Sequence, residues 1–169
     1  MSSEIPTTTG AIARGSDIYS VPAPPPQEMT VYGKVIEMGT AIASQRYFQI
    51  SNAAAATPRF LAASSAGPLV TIHESPTSVS STASGSPAIN DLFEFLSPLF
   101  GDGSVRSTQS INAGASTSGA QSAATPLAPA WSGPLLWLNS NGNLAFGFTA
   151  LQSFKIVAGS RSLSEMRTL

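Results

Sequence analysis

The 169 residues carry a formal net charge of −1, no cysteine and a single histidine, which excludes a disulfide framework, thiolate chemistry and any metal site built on several imidazoles. Only 10% of the residues are charged, against roughly 25% in an ordinary soluble domain, and no run of Lys or Arg is present to neutralise phosphates, so nucleic acid is not an expected partner. The length suits one domain, no apolar stretch approaches the roughly 18 residues of a membrane span, and the amino terminus lacks the basic start and apolar run of a secretory signal.

Residues 1–28 are rich in Ser, Thr and Pro and end in Val21-Pro22-Ala23-Pro24-Pro25-Pro26. Proline fixes φ and removes an amide donor, so this piece is expected to be an extended arm, with residues 29–169 forming a single β-rich domain. Pro22, Pro24, Pro25 and Pro26 are then candidate contacts to a neighbouring subunit. Pro22 and Pro25 also have the spacing of a ligand for aromatic grooves, but no Arg or Lys flanks them to set an orientation, and a spacer is the plainer reading.

Strand signals begin at Thr30-Val31-Tyr32-Gly33-Lys34-Val35-Ile36-Glu37, where β-branched and aromatic residues dominate. Ala41 to Ile50 contains Ile42, Tyr47, Phe48 and Ile50, and Gly39 between the two runs predicts a hairpin. Arg59 to Ala62 and Leu69 to His73 are short strands around the turn pair Gly67-Pro68. A Ser/Thr-rich loop over 75–86 follows.

Ser86 as cap, Pro87 in the first turn, and Ile89, Leu92, Phe93, Leu96 and Phe100 at helical spacing predict a short helix, stopped by Pro98 and Gly101. Packing of this helix on the sheet is the plain expectation. Phe93, Phe95 and Phe100 are also candidate anchors for a neighbouring subunit, because burying a side chain of this size is worth about 1.5–3 kcal/mol. Residues 101–130 are again low in complexity and read as a long loop or crossover. Beyond them, Leu135 to Leu138 is a strand, Asn141-Gly142 is the preferred pair for a type I′ turn, and Leu144 to Phe148 is the returning strand. Leu151 to Val157 and Arg161 to Leu169 continue this carboxy-terminal meander. The expected fold is mainly β: an antiparallel sandwich, jelly roll or small barrel with one short helix, an arm and long loops.

Catalytic groups are scarce. His73 would have to serve as the base of any Ser/His/acid triad, yet the adjacent Glu74 points to the opposite face of a strand and cannot orient it. Asp91 and Glu94 would be neighbours on the proposed helix, without the cleft that paired glycosidase carboxylates flank. Asp102, in Gly101-Asp102-Gly103-Ser104, sits in a turn that lacks the further carboxylates of a calcium loop. Phosphate loops and dinucleotide fingerprints are missing. A non-enzymatic protein without a cofactor is expected.

Trp131 and Trp137, beside Pro129, Gly133 and Pro134, are candidates for core or interface packing, Trp131 in particular for an assembly interface; the alternative is a sugar-stacking platform. The segment Leu138-Asn139-Ser140-Asn141-Gly142-Asn143-Leu144-Ala145-Phe146 resembles the mannose-binding turn of bulb-type lectins. Asn143 matches that pattern, Asn139 and Asn141 are near substitutes, Gly147 stands where the family has tyrosine, and the three-fold repetition of the family is missing. The proline-rich arm, β-rich body, Ala/Ser/Thr/Gly-rich connectors and scarce charge together resemble virion structural proteins, especially small capsid-associated or surface-decorating subunits. That resemblance implies a structural subunit on the outer surface of a capsid, partnered by other protein subunits of the same assembly, whose long uncharged segments are held in shape by neighbours. The alternative is a carbohydrate-binding β module that meets a glycan receptor through Trp137, Asn139, Asn141 and Asn143, with Trp131 beside them.

Overall fold

The computed structural model describes residues 13–14, 17–20, 26–38, 45–52, 60–65, 69–74, 78–85, 91–125, 134–138 and 149–169. They form two six-stranded sheets and one helix. The first sheet runs in the order β1 (Ala13–Arg14), β12 (Thr149–Ala158), β3 (Met29–Met38), β8 (Phe93–Leu99), β9 (Thr108–Ile111) and β10 (Thr117–Ser118). The second runs β2 (Asp17–Ser20), β11 (Pro134–Leu138), β4 (Gln45–Asn52), β5 (Phe60–Ser65), β6 (Leu69–Glu74) and β7 (Ser78–Thr82). The helix, α1, is Leu163–Thr168. Every strand pairing is antiparallel, so the expected mainly β sandwich of jelly-roll type is the observed architecture.

The core lies between the sheets and follows from strand alternation. Val31 and Val35 of β3, Phe93, Phe95 and Leu99 of β8, and Phe154 and Ile156 of β12 point inward to meet Tyr47, Phe48 and Ile50 of β4. Tyr47 and Phe48 are consecutive and both wholly buried, because a register shift between Arg46 and Phe48 gives β4 an extra residue at Tyr47. Their rings join an aromatic cluster with Phe93, Phe95 and Phe154 at centroid separations of 5.3–6.1 Å. Such pairs add about 0.5–1.5 kcal/mol each beyond the area they bury. Gly33 faces Phe95 across the β3–β8 ladder, and a Cβ at Gly33 would fall 2.2 Å from Phe95 Cζ. The bare backbone there is what lets the ring lie flat on β3.

The structure corrects several sequence expectations. Phe93–Leu99 is a strand, not part of a helix, because both of its faces are covered: Phe93, Phe95 and Leu99 enter the core, while Leu96 is buried on the far side against Tyr32, Leu163 and Met166. A strand buried on both faces reads as a continuous apolar run, and such a run fits a helical repeat equally well. The one helix among the described residues lies instead at Leu163–Thr168, where a strand was expected. It is set by a capping box in which Ser162 Oγ accepts from Glu165 N (3.3 Å) and Glu165 Oε2 accepts from Ser162 N (2.7 Å).

β3 and β4 do not form a hairpin but lie in opposite sheets, and so do β11 and β12, so the carboxy-terminal segments are not a meander. β3, β4 and β12 each bury a face, and stacking across the core covers these faces together. Residues 139–148, with the proposed type I′ turn, lie outside the described residues. Two segments of the expected arm are strands: Ala13–Arg14 pairs with β12 and Asp17–Ser20 with β11. The expected loop at 75–86 contributes β7, and that at 101–130 contributes β9 and β10.

The second of these connectors also corrects the idea that such segments need a neighbour to hold them. Residues 101–125 are pinned by the chain's own serines and glutamines. Ser81 Oγ donates to Ala120 O (2.7 Å) and accepts from Ser107 N (2.9 Å), Gln109 Nε2 donates to Gly85 O (2.8 Å), and Ser122 Oγ accepts from Val105 N (3.0 Å). Ser81, Ser104, Ser107, Gln109 and Ser110 are buried. Short polar side chains replace the ladder where the connector leaves the sheet.

Candidate functional site

The outer face of the first sheet carries the residues that alternate with the core. Tyr32 and Lys34 of β3, Glu94 and Leu96 of β8, and Ser153 and Lys155 of β12 share it, since Tyr32 stands opposite Leu96 and Lys155, and Lys34 stands opposite Glu94 and Ser153. Helix α1 covers one part of this face. Leu163 and Met166 pack on Tyr32 and Leu96, with Val157 at the margin, and Thr30 fastens the approach to the helix by donating to Gly159 O (2.8 Å) and accepting from Arg161 N (2.9 Å).

The uncovered part is an open groove of about 640 Å³. Tyr32, Lys34, Glu94, Ser153, Lys155 and Arg167 line it, with Leu92, Ala113 and Gln152 at its edges. Gln152 reaches the groove beside Ser153 because the β3–β12 register shifts between Leu151 and Ser153, which breaks alternation at Gln152.

Glu94 organises the charges. Its carboxylate accepts a hydrogen bond from Tyr32 Oη (2.8 Å), shares the single Nε–H of Arg167 between Oε1 (3.2 Å) and Oε2 (3.0 Å), and takes a further bond at Oε2 from Arg167 Nη2. The Glu94 side chain keeps 12% of its exposure and that of Arg167 41%. Burial alone would raise the Glu94 pKa, but the hydrogen bonds from Arg167 and Tyr32 and the positive charges of Arg167 and Lys34 outweigh it and hold the carboxyl below its ordinary value. Tyr32 is pushed well above the usual phenol range, first by burial and then by its bond to Glu94, so it remains a neutral donor. Lys155 Nζ donates to Met166 O at the end of α1 (2.9 Å) and lies 5.6 Å from the centre of the Tyr32 ring. Lys34 is half-buried and has no hydrogen bond or ion pair among the described residues. The groove is thus a fixed set of donors around a carboxylate that is already neutralised.

The residues singled out from sequence fall elsewhere. Phe93 and Phe95 have no exposure and belong to the core, which corrects their candidacy as anchors for a neighbour, while Phe100 is half-buried just beyond β8. Pro26 is half-buried ahead of β3, and Pro22, Pro24, Pro25, Trp131, Asn139, Asn141 and Asn143 lie outside the described residues. The backbone of Trp137 lies in β11, opposite Ile18 and Gln49. His73 lies in β6 between Leu61 and Val79. Asp91 and Glu94 do not act together, for Asp91 accepts from Asn112 Nδ2 (2.7 Å) and fastens a loop. Asp102 accepts from Ser104 N (2.9 Å) and Ser104 Oγ (2.6 Å) in its turn, and these bonds lower its pKa. Among the described residues no group of three His, Asp or Glu side chains is placed to hold a metal ion, and no helix is long and apolar enough to cross a membrane.

Sequence reasoning missed Lys34, Lys155 and Arg167 as a set. Lys34 and Lys155 each interrupt an apolar strand at an outward position, which is a readable signal. The pairing of β12 with β3, which brings them together, is not. Arg167 was hidden by reading Arg161 to Leu169 as a strand, although Ser162 and Glu165 have capping-box spacing.

No family model and no curated protein matches the chain. Solved structures do. The chain is similar to the CBM40 domain of the Ruminococcus gnavus IT-sialidase, solved bound to α2,3 sialyllactose, with a TM-score of 0.68 over 98% of this chain and 97% of that one at 7% identity. It is also similar to the receptor binding domain of botulinum neurotoxin type G, with a TM-score of 0.55 at 11% identity, over 94% of this chain and 45% of that one. At such identities the likeness is one of fold.

Proposed function

We propose that this chain is a non-enzymatic binding module that holds a glycan in the groove on the outer face of its first sheet. The observation that carries this reading is the convergence of Lys34, Gln152, Ser153 and Lys155 on one opening whose carboxylate, Glu94, is fixed by Arg167 and Tyr32. A saccharide presents many hydroxyls, each a donor and an acceptor, and suits a wall of polar side chains held on strands. The volume of about 640 Å³ falls within the range of roughly 300–1,000 Å³ of small-ligand sites. The fold likeness to a domain solved with α2,3 sialyllactose supports the same reading. The assembly role expected from the proline-rich arm, the low-complexity connectors and the scarce charge draws on composition and general pattern, whereas the groove is a specific arrangement of named groups, and the binding module is therefore preferred.

Glycan-array binding with the full chain tests it. The expected result is a limited set of bound glycans, with binding reduced about tenfold or more by Ser153→Trp, which fills the groove from the outer face without touching the core. An array without a bound glycan, or a Ser153→Trp variant that binds as well as the parent, overturns the proposal.

A further inference from the structure

We infer that the ligand of this groove carries an anionic group, a carboxylate or a sulfate, seated against the ammonium of Lys34. The inference rests on the binding reading above and adds the chemical class of the ligand. Lys34 and Lys155 are the two lysines of the whole chain, and with Arg167 they make three of its eight basic residues, all lining one groove. Outward positions on these strands do not themselves demand charge, since Ser153 fills one of them in the same face. The concentration of cations is therefore a property of the site.

The groove charges are not equivalent. Arg167 is engaged by Glu94, whose oxygens also accept from Tyr32. Lys155 gives one N–H to Met166 O and lies over the Tyr32 ring. Among the described residues Glu94 is the acid lining the groove; Arg167 is bonded to it and Lys34 acts on it only through space, so this one carboxylate faces three cations and the described lining keeps a net positive charge. Lys34 stands between Glu94 and Ser153 across the strands, half-buried, and all three of its donors lack a partner among the described residues. A partly desolvated cation in this position is stabilised by an oxyanion that supplies both charge and acceptors, with the Ser153 hydroxyl and the two remaining Lys155 donors beside it. The saturated Glu94 offers a ligand anion little repulsion, because Arg167 travels with it.

Three versions of one disaccharide, N-acetyllactosamine, separate the possibilities: the neutral sugar, its sulfated form and its sialylated form, each titrated against the full chain at low and high salt. One or both acidic forms should bind about tenfold or more tightly than the neutral one, with a preference that shrinks as salt rises. Which acidic form wins distinguishes sulfate from carboxylate. Lys34→Gln should remove that preference, bringing the acidic and neutral forms to the same affinity and abolishing its salt dependence. Equal binding of neutral and acidic forms, or a Lys34→Gln variant that weakens all of them alike, overturns the anionic inference and leaves the glycan reading standing. Failure of every form, together with an empty array, overturns both.

Discussion

Consecutive residues of β8 serve opposite purposes. Phe95 is buried without exposure among four other rings, while Glu94, one position earlier, faces the groove and holds Arg167 and Tyr32. The two faces of one sheet thus divide the work: the inner face holds the sandwich together, and the outer face shapes a site. Their side chains share a backbone but few partners, so damage to one face should leave a different signature from damage to the other.

The largest expected break is on the inner side. Phe95→Ala removes the ring that stacks on Phe48 and Tyr47, and such a loss costs about 3–5 kcal/mol, enough to unfold much of a marginally stable domain. Urea unfolding monitored by circular dichroism should show the midpoint falling steeply, with the groove lost along with the fold.

A smaller and sharper effect is expected on the outer side. Glu94→Gln leaves the core intact and weakens the charge-assisted bonds to Arg167, at a cost of about 1–2 kcal/mol. Its pH dependence has a definite sign. Because the folded carboxyl lies below its ordinary value, its stabilisation is present in full above the unfolded carboxylate pKa of roughly 4.3 and declines as the pH falls through the folded value. Thermal melts across acidic pH should therefore fall more steeply for the parent than for Glu94→Gln, and parallel curves would show that the ion pair contributes nothing.

The mildest test confines damage to the groove wall. Ser162→Ala removes the cap of α1, at a cost of about 1 kcal/mol. Amide exchange should speed up at the start of the helix, Leu163 to Arg167, while exchange in β3 and β8 stays at the parental rate. Uniform acceleration would mean that the helix and sandwich unfold as one unit.

Much of the fold was legible locally. The short runs of apolar, β-branched and aromatic residues in β3, β5, β6, β11 and β12, bounded by Gly, Pro, Asn and Ser, can be seen in residues that lie next to one another, and short-range chemistry is enough to make a strand of them. β8 was misread because both of its faces are covered, which erases the alternation that distinguishes strand from helix. The site was less legible. Lys34 and Lys155 were visible as interruptions in apolar runs, but nothing near either residue announces the other, 121 positions away, and their meeting depends on β12 adding to the edge of β3.

Scarce charge, missing cysteines, a lone histidine and strand alternation were determined by sequence alone, since they depend on residue identity and nearest neighbours, and they already pointed to a β-rich protein poor in catalytic groups. Tertiary structure alone decided which strands share a sheet, which face of β8 receives the helix, and that three of eight cations meet at one opening. Those outcomes turn on non-local burial: a strand chooses its partner by which apolar faces it can cover, and the side chains left on the other face become neighbours as a consequence.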